Sequence, residues 1–354
     1  MSAFSDLAFQ AAMAAYLVAL VCYGIELASR RGLVPTALEA ASMQRRVEAK
    51  AGVGVTAVSF DGTYSYGGGG GSDRVDGADQ GRDDDDDDDG PRRPLAPWGV
   101  RFGRAAVVVT VVGVLANAIS VVTRGLTADR LPLANLYEFS SMLCLASVTC
   151  WLIVLRVTGA RPLGLFVMTP VALLAFIAGT VLWIPAGPVM PSLNSYWKWI
   201  HVTTVSISGS VLLVSGAASV MYLLRHRFDR KISDTPDDPL LATSIWGRLP
   251  SLQVLDKIAY RTAIVAFPLY TFAVIAGSLW AEVAWGKYWS WDPKETVAFV
   301  SWVFYAGYLH ARATSGWRGV RSAWINICGF AAIVFNLFFV NFVISGLHSY
   351  AGVG

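Results

Sequence analysis

Eight apolar stretches, each close to twenty residues long, divide this chain, at 7–28, 105–123, 137–157, 163–183, 200–224, 262–283, 294–311 and 322–345. A bilayer core about 30 Å thick is crossed by about 20 helical residues, so stretches of this length are suited to lipid. Composition agrees: hydrophobic residues make up 55% and charged residues 15%, with a mean hydropathy of +0.50. A soluble domain carries about 25% charged residues. The charges here cluster in loops rather than along helical faces, which excludes an amphipathic soluble bundle. A formal charge of +3 is too small to imply a nucleic-acid partner. The expected fold is an all-α polytopic membrane protein with about eight transmembrane helices. The stretch at 294–311 is the weakest, but Asp292 and Pro293 before it read as an N-cap and a first-turn proline. The first run lacks a basic n-region and a small-residue cleavage site, and so reads as a retained span.

Basic residues give the expected orientation. With 29–104 on the cytoplasmic side, that segment holds 11 Lys and Arg, and the later cytoplasmic loops hold 12 more against 5 on the opposite side. The positive-inside rule then puts both termini outside, with the loops around 184–199 and 284–293. Three regions follow: a first transmembrane helix at 1–28, a cytoplasmic acidic and Gly-rich segment at 29–104, and a membrane domain at 105–354. The glycine run 67–71 and the aspartate run 83–89 leave the middle segment too little apolar content for a core. Cys22, Cys144, Cys150 and Cys328 all lie in apolar runs, and none forms a C-x-x-C pair. Neither thiol–disulfide exchange nor a zinc site is offered.

Polar groups that a membrane helix should not tolerate carry the chemistry. His226 sits between Arg225 and Arg227 in a cytoplasmic loop and reads as a surface residue. His201 opens the fifth span at its outer edge, above a strip of Thr204, Ser208, Leu212 and Ser215. That strip fits either a ligand site or close helix packing around a hydrogen-bonded histidine. His348 closes the eighth span on the same side, so the two imidazoles share a depth at which they could clamp a haem iron axially. His310 lies toward the cytoplasmic end of the seventh span, about 25 Å from Asp292 at 1.5 Å per residue, too far to share that iron. Ala306 and Gly307 one turn before it leave room for a porphyrin edge, or for tight packing on a neighbouring helix. Between His201 and His348 lies a dense aromatic cluster, Trp280, Trp285, Tyr288, Trp289 and Trp291, ending at Asp292. Interfacial belts supply one or two rings per helix end, whereas flat indoles in this number match a flat porphyrin. Lys287 and Lys294 beside them could meet haem propionates or remain solvated flanks.

The run Trp285-Gly-Lys-Tyr-Trp289-Ser-Trp291-Asp292-Pro-Lys-Glu295 resembles the tryptophan-rich WWD signature of haem-handling proteins in cytochrome c biogenesis. With 132–139 (PLANLYEF), Leu309-His310-Ala-Arg312, 316–319 (GWRG) and Ser345-Gly-Leu-His348, the chain is similar to the CcsA/ResC family over roughly 105–354. The resemblance implies one subunit of a two-protein cytochrome c synthase in the bacterial plasma membrane, acting with a ResB-type partner. Haem b would be its transported substrate, carried outward for attachment to a C-x-x-C-H apocytochrome c. His201 and His348 would then ligate the iron of an outer haem, with Trp285, Tyr288, Trp289, Trp291 and Asp292 around it, and His310 the iron of a haem within the membrane. No C-x-x-C-H occurs in this chain, so the cytochrome is a separate partner. No residue pattern suggests general acid/base catalysis, and the protein's part would be to hold, orient and keep haem reduced. A bis-histidine membrane cytochrome b in electron transfer is the alternative, although it has no need of an outward tryptophan platform. A secondary transporter would show internal repeats or interrupted helices, and neither is visible.

Overall fold

Lipid offers no water to backbone amides, so spanning segments satisfy their hydrogen bonds internally as helices. The computed structural model describes residues 2–30, 97–187, 195–235, 241 and 244–344; among them are eight long helices and no strand. In chain order they are α1 (Ser2–Ser29), α2 (Pro97–Ala128), α3 (Leu136–Thr158), α4 (Leu163–Thr180), α5 (Tyr196–Asp234), α6 (Leu252–Trp285), α7 (Pro293–Ala313) and α8 (Val320–Phe335). A π-turn, Asn336–Val340, and a last short helix, Asn341–Val343, continue α8. Most of the 29–104 segment, and all residues after 344, lie outside the described residues.

Seven of these helices are long and apolar enough to cross a membrane, which makes the chain a multi-pass membrane protein. The remaining one, α7, has 21 residues, enough to span about 30 Å at 1.5 Å per residue. Its tyrosines, His310 and Arg312 lower its apolarity; packing against α6 and α8 buries Tyr305 and Tyr308, while His310 stays exposed. The sequence reading placed spans well but made several too short. α2 begins at Pro97 rather than near 105, while α5 and α6 run to 39 and 34 residues because polar turns extend them past the hydrocarbon.

α1 lies along α2 and touches α4, α3 packs on α4 and α5, α5 pairs with α6, and α8 rests against α5 and α7. One large apolar core joins α1–α5 and the start of α6. A smaller one, Leu212, Ala266, Tyr270 and Tyr305, joins α5, α6 and α7. Hydroxyl and amide side chains stitch the seams, as expected where lipid removes the hydrophobic driving force between helices. Asn326 of α8 donates to Ser215 Oγ at 2.9 Å and to Ser219 Oγ at 2.7 Å, and Ser215 donates to the Ala259 carbonyl at 2.7 Å. Ser208, Leu212 and Ser215 are wholly buried, so the strip below His201 is an interhelical seam. Thr204, nearer the histidine, is half-buried, and the histidine itself is a separate matter.

Candidate functional site

A cavity of ≈230 Å³ lies among α3, α5, α6, α7 and the π-turn. Its lining includes His201, Tyr288 and Trp289 of the sequence-predicted set, together with Lys198, Lys294 and Asn336. His201 is fixed on two sides. Its Nδ1 is 2.7 Å from the Ala273 carbonyl, and its ring stacks on Trp280 with centroids 6.0 Å apart and planes 25° apart. A carbonyl can only accept, so Nδ1 carries a proton, and in the neutral ring Nε2 holds the electron pair with which imidazole binds a metal. Gly277 makes this placement possible: a Cβ there would stand 2.8 Å from both Nδ1 and Cε1 of His201.

The loop below the cavity is built by two helix ends. Gly286, at φ 68°, ends α6 in the left-handed conformation that glycine adopts without strain. Asp292 starts α7 through a capping box: its carboxylate takes the Lys294 amide at 3.1 Å, and Glu295 takes the Asp292 amide at 3.3 Å. Glu295 also takes the Ser290 amide at 2.8 Å. Asp292 is therefore buried as a cap and does not line the cavity. Trp291 is held at φ 58° with 67% of its surface exposed, a left-handed backbone that a tryptophan adopts only when its surroundings impose it.

The aromatic residues separate into two groups. Trp280, stacked on His201, also packs against Trp285, with centroids 5.2 Å apart and planes tilted by 52°. Trp289 and Trp291, 5.8 Å apart, lie with Phe299, which stacks on Trp302 at 6.1 Å. Tyr288 and Trp289 reach the cavity, whereas Trp285 and Trp291 are not part of its lining. His310 is in the last turn of α7, exposed, and its imidazole makes no hydrogen bond among the described residues. Burial in a close helix contact, one of the readings open from sequence, is not what this position shows. His348 lies outside the described residues.

Sequence reasoning missed the far wall. Glu138 of α3, with a side chain 0% exposed, accepts from Arg124 Nε at 2.9 Å, Arg130 Nη1 at 2.8 Å and the Ala134 amide at 2.8 Å. Arg124 and Arg130 also donate to the carbonyls of Ile184 and Gly187. This network braces Leu133, Ala134 and Asn135 against the cavity, and Asn135 caps α3 by accepting the Glu138 amide at 2.9 Å. The signal was present as a glutamate inside an apolar span with two arginines just before it. Two asparagines were missed as well. The π-turn carries Asn336 into the lining and the short helix after it carries Asn341, and Asn336 donates to the Lys294 carbonyl at 3.0 Å.

The residues that line the cavity, from Leu133 to Asn341, fall within 133–348, the stretch that matches the family model described as cytochrome C assembly protein. The chain belongs to the cytochrome c assembly protein family. Among its relatives, the cytochrome c biogenesis protein CcsA of Trieres chinensis is 35% identical over 251 residues, covering 64% of this chain and 80% of that protein. The CcsA of Parasynechococcus marenigrum is 34% identical over 280 residues, covering 73% and 90%. That of Synechococcus sp. strain CC9902 is 35% identical over 287 residues, covering 73% and 91%. Membership places the chain in cytochrome c biogenesis, and in this chain the cavity holds a fixed imidazole beside aromatic rings.

Proposed function

We propose that this chain is the haem-handling membrane subunit of a cytochrome c synthase, carrying haem b to an outer site and presenting it to a C-x-x-C-H apocytochrome c. One observation carries the reading: an imidazole locked by the Ala273 carbonyl and the Trp280 face, with Nε2 as its electron-pair nitrogen, lines a cavity beside Tyr288 and Trp289. The residues suit a porphyrin, since the rings supply flat apolar area and the cavity's amine and amide groups can meet carboxylates. His201 and His348 are the proposed axial ligands of the outer haem iron. Attachment needs no leaving group. Each thiol S–H adds across a haem vinyl group, forming a C–S and a C–H bond with no net oxidation.

The exposed ring of His310 supports the rest of the proposal: an inner haem iron is shared between His310 and a histidine of a ResB-type partner, and the haem passes from there to the outer site. Both chain termini and the tryptophan-rich loop face outward. The test is a c-type reporter cytochrome with haem spectra of the purified complex. His201→Ala and His348→Ala abolish maturation while haem at the inner site remains, and added imidazole restores part of it. Normal maturation with unchanged spectra in both variants overturns the assignment.

A further inference from the structure

Lys198 stands one turn before His201 on α5, lines the same cavity and is only 2% exposed. Its Nζ has no hydrogen-bond partner among the described residues. Its closest aromatic contact is the ring of its neighbour Trp199, 4.4 Å from Nζ to centroid. A buried ammonium without a counter-ion is costly, and a membrane protein keeps one where something charged arrives.

The surroundings leave that place vacant for an anion. Glu138 and Arg130 are within electrostatic reach of Lys198. Glu138, however, has its oxygens taken by Arg124, Arg130 and the Ala134 amide. Asp6 stands 3.8 Å from Arg124. Among the described residues of this wall, Arg124, Arg130 and Lys198 thus face Glu138 and Asp6, which leaves Lys198 as the surplus charge; Glu295, also in the lining, is bound to the Ser290 and Asp292 amides. Its helix adds to it: α5 begins at Ser195 with no side-chain cap and no acidic residue in the first turn, so its amide dipoles point positive end toward the same wall. Lys294, the other cavity lysine, already donates to Asn341 Oδ1 and follows Asp292 closely. Lys287 is exposed.

We propose that Lys198 is the anion-binding residue of the cavity and takes one carboxylate of its ligand, a haem propionate under the reading above, on which this assignment rests. It orients the ligand: with His201 on the iron and Lys198 one turn away on a propionate, one edge of the macrocycle is anchored at Lys198 and the opposite, vinyl-bearing edge points away from it.

The test titrates haemin and haemin dimethyl ester, in which the propionates are capped, into the full chain purified with its co-purifying membrane partner. Wild type should prefer the free acid by on the order of tenfold or more. Lys198→Met should lose that preference by weakening the free acid alone, Lys198→Arg should keep it, and Lys198→Met should melt no lower than wild type, since no formed bond is removed. A wild type that binds both compounds equally, or a Lys198→Met variant that keeps the preference or weakens both alike, overturns the assignment and leaves the proposed function standing. A wild type that binds neither compound overturns the proposed function and this inference with it.

Discussion

A methyl group at position 277 would land 2.8 Å from the His201 ring, which Trp280 and the Ala273 carbonyl already hold in place. Gly277→Ala should therefore behave like a ligand variant although it removes no ligand. Cytochrome maturation falls about as far as in His201→Ala, with an overpacking cost of about 1–3 kcal/mol in stability, and a reporter cytochrome assay beside a thermal melt checks both. Glu138 works differently, because it neutralises two arginines whose side chains are 5% and 11% exposed. Glu138→Ala leaves those charges buried and unmatched and should cost about 3 kcal/mol, read by thermal unfolding in detergent, with Glu138→Gln losing less. His201 was legible from sequence because a histidine at a span edge is rare. Lys198 was not: a string of residues shows an outer-side lysine, and only packing shows whether its ammonium meets a counter-charge.

The start of α7 joins two devices that can be separated by mutation. Asp292 serves as N-cap, so Asp292→Ala should cost about 1 kcal/mol and Asp292→Asn very little. If Asp292 instead touched the substrate, the asparagine variant would lose maturation without losing stability, which a paired melt and maturation assay would reveal. Trp291, one residue earlier, sits at φ 58°. Glycine there relieves strain of about 1 kcal/mol, so Trp291→Gly should melt at or above wild type. If the ring is part of the outer platform, maturation still drops. The cap was legible because Asp before Pro has a single strong reading at a helix start. The π-turn at Asn336–Val340 was not, since nothing in an apolar run marks where one extra residue enters a helical turn.

At the scale of the whole molecule the bilayer made the fold readable: its thickness sets the length of every span, and eight stretches became eight helices among the described residues. Helix ends were less readable, because polar turns of α5 and α6 continue into water where thickness no longer sets a limit. Replacing 54–90 with a short Gly/Ser linker should leave maturation largely intact, since that stretch lacks the apolar content for a core. Complete loss with normal insertion would mean that the aspartate run recruits something. In the relay proposed above, His310→Ala should lower haem at both sites, whereas full haem at the outer site in that variant refutes the order. The cavity's walls also set a timetable for biosynthesis. They come from positions as far apart as Leu133 and Asn341, the latter beyond the last long helix. At ordinary translation speed roughly 10–40 s separate the synthesis of those two residues. Throughout that interval the first walls are in the membrane without the last, so a nascent chain cannot close on a cargo molecule, and loading has to follow the synthesis of Asn341.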